Sequence, residues 1–226
     1  MSSTTYLKRR DELEAYFDRT ASAAWAKLTS DAPVSGIRAT VRAGRDAMRE
    51  TLLSWLPSDM TGMRLLDAGC GAGQLSIAAA ERGAEVVAID LAGTLVDLAA
   101  ERSESLELQG SIEFMVGDMF APERGMFDYV VAMDSIIHYN TDDFIDGVEK
   151  LRALATRGVS FTFAPRTPAL SVMHAAGKLF PRSDRSPAIV PHSEKDIRSR
   201  LSHAQLGRSR RIKSGFYISH ALELIE

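Results

Sequence analysis

Apolar positions recur at a helical spacing along the first part of the chain and at a strand-like spacing further on. Over residues 5–30, Leu13 and Phe17 share one helical face, with charged residues between them. Residues 37–56 resume the helical pattern after a short break that contains proline and glycine. We therefore expect residues 1–60 to form a mostly helical N-terminal cap.

Short β-branched runs alternate with helical stretches over residues 63–165. The strands that this pattern predicts are Met63–Ala68, Glu85–Asp90, Ile112–Val116, Phe127–Met133 and Gly158–Phe163. The predicted helices between them are Leu75–Arg82, Leu95–Arg102 and Asp142–Ala155. Such alternation is typical of a parallel sheet with helices on both faces, so we expect a Rossmann-like α/β fold.

The pattern changes again after the last of these strands. Several prolines within residues 164–192 indicate an insertion of loops or short helices. Ser193–Leu201 is predicted to be a helix capped by Ser193, and Leu206–Ile212 can pair with Phe216–Leu224 as a hairpin. The second domain is therefore expected to cover residues 61–226.

The composition excludes several classes of protein. Of 226 residues, 45% are apolar and 25% are charged, as in an ordinary globular protein. A single cysteine, Cys70, leaves no internal disulfide and no CxxC metal site. Because the N-terminus is charged where a signal peptide needs an apolar core, and no apolar run is long enough to span a membrane, we expect a cytoplasmic protein.

The charge is uneven along the chain. The net charge of −3 gives no general preference for nucleic acid, but residues 178–213 carry ten Lys and Arg against three Asp and Glu. This basic segment is either a solvated face or a patch that attracts an anionic substrate or an acidic membrane surface.

A glycine-rich loop follows the first predicted strand. Gly69, Gly71 and Gly73 have the spacing G-x-G-x-G, followed by Gln74, whereas a dinucleotide-binding loop has G-x-G-x-x-G. Asp67 precedes the first glycine by two residues, and its carboxylate suits a cationic amino or sulfonium group better than a pyrophosphate. The loop therefore predicts a ligand site at the carboxyl end of the sheet.

Two more acids end the next two strands. Asp90, at the end of the second strand, can accept both hydroxyls of a ribose. Asp118 follows Gly117 after the third strand and can accept from an adenine amino group. Each acid alone could be a helix cap or a turn residue, but together with the glycine loop they predict one binding rim.

This combination resembles the class I S-adenosylmethionine-dependent methyltransferases over about residues 60–165. The resemblance implies a mainly parallel seven-stranded sheet with a terminal antiparallel hairpin, and S-adenosylmethionine as the methyl donor. It implies that Asp67 and Gly69–Gly73 hold the methionine part, Asp90 the ribose, and Asp118 with Met119 the adenine. The other implied cofactor-contacting residues are Cys70, Gln74, Leu91, Gly117 and Met133, with Arg42 as a candidate partner of the cofactor's carboxylate.

The flanking segments resemble a narrower family, the magnesium-protoporphyrin IX O-methyltransferases of bacteriochlorophyll and chlorophyll synthesis. The resemblance rests on Tyr16-Phe17-Asp18, Asp134–Tyr139, Phe163–Pro168 and Gly215–Ser219, and it runs nearly end to end. It implies methylation of a porphyrin propionate to its monomethyl ester, with the N-terminal cap as a lid. It also implies hand-over of the substrate from the magnesium chelatase. A carboxylate is ionised at pH 7, so its methylation requires no general base.

Two residues are predicted to lie beside the transferring methyl group, Tyr16 and His138. Either could orient the acceptor carboxylate, His138 could ligate the magnesium of the substrate, and either could instead be a packing residue. Magnesium is expected only as part of the substrate. The weaker candidates are His174 and His192 for that magnesium, and Arg166, Lys178, Arg182 and Arg185 for the second propionate; His203 and His220 are read as surface or core residues.

Other functions stay open on the sequence alone. A methyltransferase for another hydrophobic molecule, such as a quinone precursor, would need a general base, and His138 could supply one. A porphyrin carrier without catalytic activity is a second alternative, and a dehydrogenase is disfavoured by the glycine spacing. The basic segment 178–213 additionally suggests peripheral contact with the photosynthetic membrane.

Overall fold

The computed structural model describes residues 3–20, 28–29, 33, 36–120, 125–166 and 187–226. Its helices are α1 (Thr4–Ala15, continued by a π-helix over Tyr16–Thr20), α2 (Gly36–Ser54), α3 (Gln74–Ala80), α4 (Gly93–Glu104), α5 (Thr141–Arg152) and α6 (Glu194–Arg200). Its strands are β1 (Arg64–Ala68), β2 (Glu85–Asp90), β3 (Ser111–Val116), β4 (Phe127–Ala132), β5 (Ala155–Phe163), β6 (Gln205–Ser214) and β7 (Tyr217–Ile225).

The seven strands form one sheet in the order β3-β2-β1-β4-β5-β7-β6. The first five are parallel to one another, whereas β7 runs antiparallel to both β5 and β6. The predicted Rossmann-like fold and the terminal hairpin are therefore confirmed. Since the carboxyl ends of β1, β2, β3 and β4 meet at one edge, the residues that follow these strands come together.

One boundary in this region is wrong in the sequence-based prediction. The helix predicted over Asp142–Ala155 ends at Arg152, and β5 begins at Ala155. Ala155 pairs with Phe127 at the start of β4. It therefore lies in the sheet although alanine itself prefers a helix. Ser193 caps α6 as predicted, because its side chain accepts a hydrogen bond from the backbone N–H of Asp196.

The central strands are buried on both faces. Leu65 and Leu66 of β1 are fully buried and point to opposite sides of the sheet. Leu66 belongs to a core with α5 and α6, and Leu65 belongs to a core with α2 and α3. The sheet therefore forms a rigid base for the loops at its carboxyl edge.

Helix α2 lies close against the terminal hairpin. A Cβ atom on Gly44 would lie 2.4 Å from a ring atom of Tyr217, so the helix backbone and the aromatic ring are in direct contact. The hairpin turn approaches the start of the same helix, because a Cβ on Gly215 would lie 2.5 Å from the hydroxyl of Thr40. Helix α2 therefore packs against β7 and against the turn that joins β6 to β7.

The two described ends of the predicted insertion lie side by side. His192 donates its backbone N–H to Ala164, and Arg166 donates its own to the carbonyl of His192, each at 2.8 Å. Val190 donates to the carbonyl of Ile137 in the loop that follows β4. Residues 187–192 therefore lie beside the predicted site. Across the described ranges, no helix is long and apolar enough to cross a bilayer.

Candidate functional site

The glycine loop after β1 turns tightly over the end of β2. Gly69 has a φ of +85°, a conformation that favours glycine, and the N–H groups of Gly69 and Cys70 both donate to the carbonyl of Ile89. Gly71 has a φ of +53°, and a Cβ there would meet no atom within 4 Å. The loop therefore offers open space next to a backbone that only glycine adopts readily.

Asp67 forms the floor of this region. Its side chain is only 2% exposed, and it accepts a hydrogen bond of 2.6 Å from the hydroxyl of Ser76. Burial, with a smaller contribution from the negative charge of Asp90, raises the pKa of Asp67 to about 7. A carboxyl group in this state gains a full charge most readily when a cation arrives beside it.

Asp90 ties the glycine loop to the end of β2. One carboxylate oxygen accepts from the N–H of Gly71 and the other from the N–H of Ala92, each at 2.9 Å. Burial raises the pKa of Asp90, and these backbone hydrogen bonds oppose that rise. Because a carboxylate oxygen has two lone pairs, each oxygen can also accept from a ligand hydroxyl.

Asp118 meets the N-terminal helix. The hydroxyl of Tyr6 on α1 donates to Asp118 at 2.6 Å, and the N–H of Phe120 donates to the same oxygen at 3.0 Å. The ring of Tyr6 stacks on the ring of Tyr139 at 5.2 Å. Tyr6 was not among the predicted site residues, although its spacing of seven residues from Leu13 places both on one helical face.

A single cleft of about 1080 Å³, its open mouth included, joins these groups. The predicted residues that line it are Asp67, Gly69, Cys70, Gly71, Gln74, Asp90, Leu91, Gly117, Asp118, Met119, Met133 and His138. The structure brings these residues together, and their roles toward a ligand stay predictions.

Three predicted residues do not line the cleft. Gly73 packs against α4, since a Cβ on it would lie 2.8 Å from the Cβ of Ala99. Tyr16 packs edge-on against Phe17, and Phe17 is the residue that lines the cleft. The π-helix that begins at Tyr16 has a wider turn than an α-helix, which changes the side chains that face inward.

Arg42 is the third of these residues. Its Nε donates to the backbone carbonyl of Leu28 at 2.9 Å, which holds it away from the cleft. Arg45 and Arg49, one and two turns further along α2, line the cleft instead. Neither arginine was a predicted site residue, because helical spacing alone does not say where along the helix the cleft begins.

His138 is buried in the wall formed by the loop after β4. It is 5% exposed, its Nδ1 lies 3.3 Å from the carbonyl of Ala188, and its ring lies 5.9 Å from the ring of Phe17. Burial lowers the pKa of His138 to about 4. The imidazole is therefore neutral at pH 7.

Asp134 organises the same loop. It is non-glycine yet has a φ of +54°, and its carboxylate accepts from Arg45, Tyr217, Ser219 and Thr162 at 2.9–3.1 Å. Asp134 and Ser135 line the cleft. The role of Asp134 could not be predicted from the sequence, because the groups that hold it come from distant parts of the chain.

The weaker candidates are dispersed. His192 is buried against Phe144 with its ring centroid at 4.4 Å, His203 pairs with Glu149, and His220 stacks on Phe163. None of these histidines, and not Arg166, is among the residues that line the cleft. The described residues hold no cluster of metal-ligating side chains. The candidates His174, Lys178, Arg182 and Arg185 lie outside the described residues.

Comparisons with known proteins give a consistent result. A family model described as "Magnesium-protoporphyrin IX methyltransferase C-terminus" matches residues 132–226, and a general methyltransferase domain matches residues 65–158. The chain is 48% identical to the magnesium-protoporphyrin O-methyltransferase of Rhodobacter capsulatus, over 96% of this chain and 97% of that protein. It is 30% identical to the Synechocystis sp. protein of the same name, over 93% of each.

A solved structure supports the same relationship. The crystal structure of magnesium protoporphyrin IX methyltransferase from Synechocystis PCC 6803 with bound SAH is similar with a TM-score of 0.85 and 30% identity. The match covers 96% of this chain and 99% of that chain.

Proposed function

The chain belongs to the magnesium-protoporphyrin O-methyltransferase family, and we infer from this that it methylates a propionate of magnesium-protoporphyrin IX to give the monomethyl ester. The methyl donor is S-adenosylmethionine, and the reaction belongs to chlorophyll and bacteriochlorophyll biosynthesis. The main structural support for this inference is that the glycine loop, Asp67, Asp90 and Asp118 line one cleft. That cleft lies in a chain 48% identical to a relative named for the reaction.

The residues present in the cleft fit S-adenosylmethionine. The hydroxyl of Ser135 is buried and lacks a hydrogen-bond partner among the described residues, which is typical of a group that a polar ligand completes. Gly71 leaves room for a ligand against the backbone. When bound, S-adenosylmethionine supplies a methyl group on a positively charged sulfur.

Each end of the cleft suits a different part of this donor. Asp90 is placed to accept from ribose hydroxyls, and Asp118 from the adenine amino group. Asp67 provides negative charge for the cationic amino-acid end. Arg45 and Arg49, rather than Arg42, provide positive charge for its carboxylate, since they line the cleft.

The state of His138 favours a carboxylate as the methyl acceptor. With a pKa of about 4, His138 is a weak base at neutral pH. A phenol, as in a quinone precursor, would have to lose a proton to a base, whereas a propionate is already ionised. His138 therefore acts as a neutral hydrogen-bonding group that orients the acceptor, and its burial helps to exclude water.

The walls of the cleft act by excluding water from the reacting carboxylate. Phe17 and Leu13 of the N-terminal helix line the cleft, and Ala188 contacts His138 from the other side. Removing water from an anionic nucleophile raises its reactivity toward a methyl group on sulfur. We place Phe17, in place of Tyr16, beside the acceptor.

The test combines the purified chain with magnesium-protoporphyrin and S-adenosylmethionine that carries a labelled methyl group. We expect the label in a porphyrin mono-ester, identified by mass spectrometry after separation. Loss of the label from the ester on mild alkaline hydrolysis would confirm the carboxyl position. Label on a ring carbon or on another acceptor would reject the assigned reaction.

Two partners are further proposals. We propose that the porphyrin arrives from the porphyrin-binding subunit of the magnesium chelatase, because a flat apolar macrocycle is poorly soluble in water. We also propose peripheral contact with an anionic membrane. The support is the row of exposed basic residues on the edge strand β6: Arg208, Arg210, Arg211 and Lys213. Flotation with anionic vesicles at low salt, lost at high salt, is the expected result.

A further inference from the structure

Ser135 carries a buried hydroxyl on the wall of the cleft. Its Oγ has no hydrogen-bond partner among the described residues, although the residue lines the cleft. A buried hydroxyl without a partner costs stability, so such groups are retained where a ligand or water completes them. The part of the donor that this hydroxyl meets has not yet been assigned.

The backbone at the preceding residue directs Ser135 toward the glycine loop. Asp134 has a φ of +54°, which costs energy for a residue other than glycine, although aspartate tolerates it better than most. Its carboxylate is held by Arg45 from α2, Thr162 from β5, and Tyr217 and Ser219 from β7. Three separate elements therefore maintain this turn of the chain.

The position of Ser135 identifies the part of the ligand that it meets. A Cβ on Gly69 would lie 2.2 Å from the Cβ of Ser135, so the two residues touch at the start of the glycine loop. Gly69 is two residues from Asp67, which we assign to the cationic end of the donor. Tyr6 and Asp118, which we assign to adenine, form a separate contact with each other.

We propose that the hydroxyl of Ser135 binds the amino-acid end of S-adenosylmethionine directly, and that Asp134 is the positioning residue that turns it there. The proposal rests on the proposed function, because it presumes that the donor occupies this cleft. In this proposal the ligand is the hydrogen-bond partner that the Ser135 hydroxyl lacks. The hydrogen bonds around Asp134 then serve ligand binding as well as stability.

The test measures equilibrium binding by calorimetry, without turnover, for two ligands that share a nucleoside and a neutral sulfur. S-adenosylhomocysteine has the amino-acid end, and methylthioadenosine lacks it. For Ser135→Ala we expect about tenfold weaker binding of S-adenosylhomocysteine, the effect of losing one hydrogen bond to a charged group. We expect unchanged binding of methylthioadenosine, since the substitution keeps the Cβ that packs on Gly69.

Ser160→Ala is the matched control, because Ser160 is a buried serine of β5 that does not line the cleft. It should leave the binding of both ligands unchanged. Equal losses for both ligands in Ser135→Ala, or no loss for either, would overturn the role of Ser135. If the unaltered chain bound neither ligand, the proposed function itself would fail, and the Ser135 proposal with it.

Asp134→Asn tests the positioning role. Asparagine also tolerates the left-handed conformation, but it lacks the charge that holds Arg45. We expect the same selective loss for S-adenosylhomocysteine, with methylthioadenosine spared. Equal losses for both ligands, in step with a lower melting temperature, would show that Asp134 acts only on stability and would overturn its assigned role.

Discussion

The two N-terminal helices are held to the molecule in different ways. Helix α2 inserts Met48, Leu52 and Leu53 into the core beneath the sheet, with exposures of 0%, 0% and 6%. Helix α1 buries Tyr6 and Leu13. Its other contacts are largely polar, as where Thr5 donates to Asp143 at 2.7 Å.

The sequence predicts one helical cap, but its two helices differ in their main role. We expect α2 to contribute mainly to stability and α1 mainly to ligand binding. Met48, Leu52 and Leu53 of α2 make apolar contacts in the core and do not line the cleft, so the loss of these contacts should weaken the fold. The contact between Tyr6 of α1 and Asp118 lies inside the cleft, so its loss should affect the ligand first. The following predictions test this separation.

The largest effect is expected in the core beneath α2. Leu52→Ala should lower the free energy of unfolding by about 2–5 kcal/mol, because it leaves a cavity at a fully buried position. Urea denaturation followed by circular dichroism measures this. Leu7→Ala on α1 is the control, since Leu7 is 39% exposed and should change stability by less than about 0.5 kcal/mol. Similar losses for both variants would show that α1 stabilises the fold as much as α2 does.

A smaller loss is expected where α2 touches the hairpin. Gly44→Ala places a methyl group 2.4 Å from a ring atom of Tyr217 and should cost about 1–3 kcal/mol through overpacking. The change should also disturb the hydrogen bond from Tyr217 to Asp134. Thermal denaturation measures the first effect; a melting temperature that stayed the same or rose would contradict the packing described for α2.

Asp67 should make the affinity for the ligand depend on pH. This effect comes from the charge of its carboxyl group and not from packing. Asp67 has a pKa of about 7, so below that pH it is largely protonated and attracts the cationic amino group of S-adenosylhomocysteine poorly. Affinity should rise by about tenfold from about pH 6 to about pH 8 and then level off, with proton release on binding. Calorimetry in two buffers of different ionisation enthalpy measures both quantities.

The control is Asp67→Asn, which should remove this pH dependence. The raised pKa of Asp67 has the opposite effect on the stability of the ligand-free protein. Because the folded state holds the proton more tightly than the unfolded chain, this group's contribution to stability should fall as the pH rises from about 4 to about 7. An affinity for S-adenosylhomocysteine that fell between about pH 6 and about pH 8 would contradict the protonation state assigned to Asp67.

The smallest effect is expected at Tyr6. Tyr6→Phe removes the hydroxyl that donates to Asp118 but keeps the ring that stacks on Tyr139. We expect about threefold weaker binding of S-adenosylhomocysteine, consistent with the loss of one partly exposed hydrogen bond. The melting temperature should fall only slightly; a large fall without a change in affinity would place α1 with α2 as a stabilising element.

The fold was predictable because its signals are local. The alternation of β-branched runs and helical stretches predicts β1 to β5, and the strand-end acids follow from the same alternation. The three acids lie 23 and 28 residues apart along the chain, as Asp67, Asp90 and Asp118, yet one topological rule places them at one edge.

The remaining site residues depend on distances that the sequence does not encode locally. Tyr6 meets Asp118 across 112 positions, and Tyr217 meets Asp134 across 83. Phe17 lines the cleft where Tyr16 was predicted to do so. We attribute this to the π-helix, whose wider turn has no simple sequence signal. Arg45 and Arg49 replace Arg42 because the carbonyl of Leu28 holds Arg42 elsewhere.

We propose that this cleft delivers a methyl group to a carboxylate that is already ionised, beside a histidine that stays neutral. Single-turnover methyl transfer to magnesium-protoporphyrin, with S-adenosylmethionine saturating, tests it most directly. We expect the rate constant of ester formation to be constant between about pH 7 and about pH 9. A rate constant that rose tenfold per pH unit in this range would show that a proton must be removed first, and it would rule out methyl transfer to a carboxylate that is already ionised.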